Sequence, residues 1–377
     1  MSRKIYNKAA ISKMMALICI TGVILSCTLQ SFAAQQKTDS PMSLESFINE
    51  VIKVNPSIKL LDDQIAVQER RCYLANSTSE AAKTKSWLSD SEHMAVKKEE
   101  LLYPMQAKNQ LEDLKWERQN KVVSLKTEAS KLLYQYNFKL KEIDIQIKLI
   151  DKAKKDFEIA KKKVEVGKLN SLSLTQSENA ISSAQHQLET LNAQKTGISM
   201  KINSLLQRDL TQPVLLKDEQ LKVEEYDVKD LEVLINKQKE SGHSVIKLQN
   251  SYNETCTEYF IQSYSMMEKS DTYDQLADSK LELEYSIKDE KAAVELKIRT
   301  DYNNLLNLND NMKIAKLTYE LSTKLHSVSE IKYQRGIISI SDYLKTASDK
   351  ESALINYNKA QLDYAIAVMD FKMNIEE

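Results

Sequence analysis

Five glycines and four prolines in 377 residues leave this chain almost without the residues that punctuate regular structure. So small a supply excludes a β-rich or loop-rich fold, in which turns recur at short intervals and draw on both residue types. Cysteine is as scarce. Of the four, Cys19 and Cys27 fall near the N-terminus, and the remaining pair, Cys72 and Cys256, is no disulfide scaffold. An exported pair of this kind oxidises only where the fold brings the two thiols together. An excess of charge of one sign is also missing, since 53 Lys and Arg face 54 Asp and Glu. No global field therefore favours nucleic acid or an acidic partner. Recognisable chemistry is absent too. The four histidines, His93, His186, His243 and His326, are scattered without paired ligand spacing, so no metal site is expected. There is no Ser-His-Asp arrangement, glycine-rich phosphate loop or CxxC. Adjacent acids such as Asp62-Asp63 and Glu99-Glu100 read as solvated helix faces. Neither an enzyme nor a cofactor protein is expected.

At the N-terminus, Arg3, Lys4, Lys8 and Lys13 precede the apolar run Met14 to Leu25, and Ser31-Phe32-Ala33 supplies a small-x-small cleavage site. Residues 1–33 thus read as an export signal and 34–377 as a single elongated helical domain. A competing reading takes Val23-Ile24-Leu25-Ser26-Cys27 as a lipobox, with a lipid left on Cys27. Either places the protein in the cell envelope or on the extracellular face. No later apolar run approaches the ~20 residues that a membrane-spanning helix needs.

What the chain does contain is duplicated. Val166-Gly167-Lys168-Leu169 and Arg335-Gly336-Ile337-Ile338 each interrupt a long helical pattern, and their glycines lie 169 residues apart (336 − 167). The opening segment from Leu44 matches that from Leu231, a register that also brings Ser57 onto Ser244 and Ile58 onto Val245. Pro213 marks the join between a pseudo-repeat at 43–212 and another at 230–377. Within each, apolar residues recur in three- and four-residue steps. They run Leu125, Ala129, Leu132, Tyr136, Leu140, Ile143, Ile147 and Ile150 before the first glycine turn, and Ala184, Leu188, Leu191, Ile198 and Ile202 after it. On the second returning arm they are Tyr343, Ala347, Leu354, Tyr357, Tyr364 and Phe371. This spacing predicts an all-α chain of two tandem pseudo-repeats, each a long antiparallel coiled-coil hairpin. A second apolar stripe, Val122, Ile145, Leu149, Ala153 and Ala160, implies that neighbouring hairpins or subunits pack there too, and an oligomer is expected.

Glycine ends each ascending helix without strain, and Ser339-Ile340-Ser341-Asp342 forms a capping-box-like start for the descending one. A bare turn would favour polar residues. Leu169, Ile337 and Ile338 at these tips instead invite a partner.

Taken together, the paired glycine tips and the duplication resemble the TolC family of outer-membrane efflux proteins, over essentially the whole chain after residue 33. The resemblance implies a homotrimer whose hairpins form a tunnel and whose tips meet a membrane-fusion adaptor serving an ABC or proton-driven pump. Carried onto this chain, it makes Val166, Gly167, Leu169, Arg335, Gly336, Ile337, Ile338 and Asp342 candidate partner-binding residues at the tips. Lys168 and Ser173 depart from the family pattern at the first tip. So do the stretches from Tyr73 to Pro104 and from Glu254 to Ser286, where the family carries membrane strands. Ser77-Thr78-Ser79-Glu80 and Glu268-Lys269-Ser270-Asp271 lack the alternation of a membrane strand and read as polar helix or turn, with Pro104 near a helix start. The expectation is therefore a TolC-like export component without a barrel. The alternative is an envelope-attached structural coiled coil with no transport role.

Overall fold

A computed structural model describes residues 41–87, 89–167, 170–219, 221, 223, 225–226, 228–263 and 271–375. The export signal and Cys27 lie outside the described residues. Two units are distinguished. In the small one, Met42 bridges Leu216 in parallel fashion, its N–H donating to the Leu215 carbonyl at 3.0 Å. The large one carries every helix among the described residues.

That large unit follows the duplication element by element. Short helices α1 (Leu44–Val54) and α6 (Leu231–Ser241) have 11 residues each. Side chains one residue ahead start both: Ser43 accepts from the Ser46 N–H at 3.2 Å, and Asp230 from the Val233 N–H at 3.1 Å. Next come α2 (Pro56–Ala82) and α7 (His243–Gln262). The first repeat then inserts α3 (Asp90–Lys97) and a π-helical turn (Lys98–Leu102). The long arms follow, α4 (Tyr103–Glu165, 63 residues) and α8 (Asp271–Gln334, 64 residues). Returning arms α5 (Ser171–Leu205, 35 residues) and α9 (Ile340–Ile375, 36 residues) complete the two hairpins. No strand occurs among the described residues, and no described helix is long and apolar enough to cross a membrane.

Pro104 is the second residue of α4, near a helix start as the sequence reading has it. The helical backbone runs from α3 through the π turn into α4. Proline at 104 has no N–H to give the carbonyl four residues back, that of Glu100. The Ser79 hydroxyl supplies the missing donor at 2.7 Å, and the helix continues through a one-turn π bulge.

The returning arms bury residues that the heptads nominate, among them Ala184, Leu191, Ile202, Tyr343, Ala347, Tyr364 and Phe371. On α4 the pattern holds at Leu125, Ala129, Leu132, Tyr136 and again at Ile150, but not between. Leu140 and Ile147 are exposed, whereas Glu142, Gln146, Asp156 and Ala160 are buried. The cause is that this stretch of α4 lies between two helices. It packs along α5 in its own hairpin and along α9 of the other. A template for one partner therefore points at the wrong arc. The stripe containing Ile145, Leu149 and Ala153 faces α9 of the same chain, across a cavity of about 470 Å³. Cys72 and Cys256 are both unbridged, the Cys72 thiol donating to the Ala107 carbonyl at 3.0 Å.

Candidate functional site: the hairpin tips and the seam beneath them

Both tips turn through a glycine with positive φ, +70° at Gly167 and +73° at Gly336, a region closed to most side chains. At the second tip the Gly336 N–H donates to the Tyr333 carbonyl at 3.0 Å and the Ile337 N–H to the Lys332 carbonyl at 2.9 Å. This is a Schellman cap, in which the residue after the glycine ordinarily packs on an apolar residue five positions back. Here that position is Lys332, and Ile337 stays 64% exposed. The Ile338 side chain is half-buried, so the two isoleucines grouped by the sequence part company. Arg335 and Asp342 are exposed. Asp342 is tied into the cap: its N–H donates to Ser339 Oγ at 3.1 Å, and that hydroxyl donates to its carboxylate at 2.7 Å. At the first tip Val166 is 66% exposed, and Asn170 caps α5 by accepting from the Ser173 N–H at 3.1 Å. Leu169, with Lys168, lies outside the described residues.

The two tips share one end of the large unit. Four residues below Gly167, Lys163 on α4 sits 4.6 Å over the ring of Tyr333, three residues below Gly336, and donates to its hydroxyl at 3.2 Å. Deeper in the seam, Lys152 on α4 lies 4.7 Å over the ring of Tyr343 on α9. Its Nζ is 3.4 Å from Nε2 of His326 on α8, and His326 Nδ1 is 3.4 Å from Thr346 Oγ1 on α9. Tyr343 stacks on Tyr333 with centroids 4.7 Å apart. This layer joins α4, α8 and α9, and sequence reasoning missed it. His326 reads there as one of four isolated histidines, and no periodicity marks residues 174 positions apart as neighbours.

Burial, then Lys152 and Lys350, hold the His326 pKa below the usual 6.5. Burial pushes the Asp156 carboxyl up. Asp156 Oδ2 and Ser329 Oγ are buried with no hydrogen-bond partner.

On the outer flank of α8 a different surface runs up to the tip. Ile314, Leu317, Leu321, Leu325, Val328 and Ile331 follow in three- and four-residue steps on one face, each between 50% and 64% exposed. Subtracting 169 converts Ile314 and Leu321 into Ile145 and Lys152, which lie on the α4 face turned toward α9, and Leu325 into Asp156, buried one turn further along.

The fold is that of bacterial outer-membrane channels. Over 88% of this chain it is similar to the open-state outer-membrane channel MtrE of Neisseria gonorrhoeae, covering 88% of that chain with a TM-score of 0.67 at 11% identity. Similarity to the Campylobacter jejuni outer-membrane channel CmeC covers 88% of this chain and 85% of that one, with a TM-score of 0.64 at 10% identity. A Pseudomonas aeruginosa membrane protein is matched over 88% of this chain and 93% of its own, with a TM-score of 0.66 at 12% identity. No family model matches the chain, and no curated protein matches it. The likeness to these channels is therefore one of fold.

Proposed function

We propose that the protein is a non-catalytic component of an export or efflux system, a tube of helical hairpins assembled from several copies and docked through its tips. The observation that carries this reading is the α8 stripe. Six aliphatics left half exposed or more along five turns of one helix exceed the scatter of a monomer surface. Three of them, Ile314, Leu321 and Leu325, stand at the register of Ile145, Lys152 and Asp156 along the buried seam of α4, whereas Leu317, Val328 and Ile331 match the exposed Lys148, Ile159 and Lys162. The equivalent of α9 in the first repeat is α5, so the free face of α8 is shaped to receive α5 of a second copy. Such a contact is heterologous, and head-to-tail repetition closes a ring when its rotation does. Resemblance to the TolC family implies three copies, hence six hairpins around a lumen. It also implies an adaptor serving an ABC or proton-driven pump at the tips, and a place in the cell envelope. The exposed Val166 and Ile337 support that docking role. A structural coiled coil would not need both tips gathered at one end.

The test is crosslinking in the native cell followed by purification under mild conditions. A closed oligomer that carries an adaptor or pump supports the reading. A monomer, or an oligomer with no transporter in any crosslinked product, overturns it.

A further inference from the structure

We propose that the layer of Lys152, His326, Tyr343 and Thr346 is an acid-released latch between the two hairpins, closed while the His326 imidazole is neutral and open when it takes up a proton. The geometry fixes the proton arrangement. An ammonium only donates, so His326 Nε2, 3.4 Å from Lys152 Nζ, must present its lone pair. The ring proton then sits on Nδ1, facing Thr346 Oγ1 at 3.4 Å, and the Thr346 hydroxyl in turn donates to the Tyr343 carbonyl at 2.8 Å. A second ring proton would set an N–H against the ammonium, two donors and two cations with no acceptor between them. The bridge from α4 to α8 would become a repulsion.

Burial first, and then charged groups from the helices around the ring, set the balance. Lys152 from α4 and Lys350 from α9 oppose a charged imidazole, while Glu330 on α8 and Glu351 on α9 favour one. Burial joins the lysines, so the ring is neutral at neutral pH in the closed seam. A depressed histidine pKa contributes stability to the closed state above the usual 6.5, and that contribution is lost as the pH falls through the lowered closed-state value. Opening therefore belongs to mildly acid conditions below pH 6.5. Asp156, one turn from Lys152, acts in the opposite sense: its pKa is raised, so acid neutralises it and favours its burial.

Two further features leave the seam poised. The cavity of about 470 Å³ beside Lys152, lined also by Leu344, Ala347 and Glu351, means that little packing is lost when the hairpins part. Asp156 Oδ2 and Ser329 Oγ, buried without partners, gain water when the seam opens. What the latch does for export rests on the tube reading above. The latch itself does not.

Its test is a distance measurement on purified protein. Spin labels are attached to cysteines replacing Gln176 on α5 and Ser327 on α8, with the native cysteines changed to Ser and labelled chains diluted into unlabelled ones. The mean separation should lengthen reversibly by several ångströms between pH 8 and pH 5.5. In His326→Gln, whose amide still accepts from Lys152, it should stay short at both values. Lys152→Gln, which removes one of the two opposing cations, should lengthen less than the parent at pH 5.5, and Asp156→Asn should open more fully than the parent. A separation unchanged between pH 8 and pH 5, or a His326→Gln protein that opens as the parent does, overturns the latch. No transporter is present in the experiment, so its result is independent of whether one is ever found.

Discussion

Ile145, Lys152, Asp156 and Ala160 on α4 occupy the positions that Ile314, Leu321, Leu325 and Ser329 occupy on α8, yet the two helices reverse the usual link between burial and polarity. On α4, Asp156 is 7% exposed and Lys152 reaches across the seam to a histidine and a tyrosine. On α8, the leucines at those registers face solvent. A duplicated helix would be expected to keep one chemistry on one face. The divergence teaches that the two seams do different work. Inside the chain the seam is polar and unevenly satisfied, suited to opening. If α8 receives a second copy as proposed, its apolar face gains most by staying shut, because such stabilisation scales with apolar area and does not depend on protonation.

The comparison breaks most readily at the α8 stripe. Replacing Leu321 and Leu325 together with Glu places two carboxylates where a subunit contact would have to desolvate them. Association should weaken by ~100-fold or more, leaving monomers in sedimentation velocity, while helicity is unchanged. Lys316→Glu, exposed on the same helix but off the stripe, should leave the assembly intact. If the double variant assembles like the parent, the apolar face of α8 is not a subunit seam and the contrast with α4 loses its meaning.

How much of this was legible beforehand depends on how local the cause is. The hairpins, the glycine turns and the Ser339 cap follow from neighbours in sequence, as does the shared register of α1 with α6, and the structure has them. The arc that α4 buries does not follow, because it is set by two helices from different halves of the chain. Hence Leu140 and Ile147, which fit the heptad, are exposed, and Glu142 and Gln146, which do not, are buried. Gln146 is stabilised there by donating to the Ala184 carbonyl at 2.8 Å. At Pro104 the helix start was legible, and the π turn that leads into it was not, for the same reason. Proline reads locally as a helix boundary, and the donor that lets the helix pass, Ser79, belongs to α2. Of the candidate site, the tips were legible and the layer around His326 was not.

A smaller effect separates the tips from the seam. Gly336 holds φ at +73° with nothing within 4 Å of where a Cβ would stand, so Gly336→Ala meets backbone strain and no clash. It should cost about 1 kcal/mol, the penalty of a left-handed conformation for an ordinary residue. Thermal unfolding of the variant checks this. A loss several times larger would mean that the turn itself, and not the seam below it, is what holds the second hairpin together.

Smallest in stability, and sharpest for function, is Ile337→Ser. The side chain follows the cap glycine, has Lys332 at the position where an apolar contact would normally shelter it, and is 64% exposed. Truncating it removes no buried contact, so unfolding should shift within about 0.5 kcal/mol. Ile338→Ser is the informative companion, because Ile338 is half-buried and its loss should cost stability. If Ile337 is a docking knob, the first variant loses partner capture in the crosslinking experiment while melting like the parent. The Ile338→Ser protein should show the reverse weighting. Should Ile337→Ser retain full capture, the tip is only a turn. Docking would then have to rest on Val166 at the other tip or on the flanks of the hairpins.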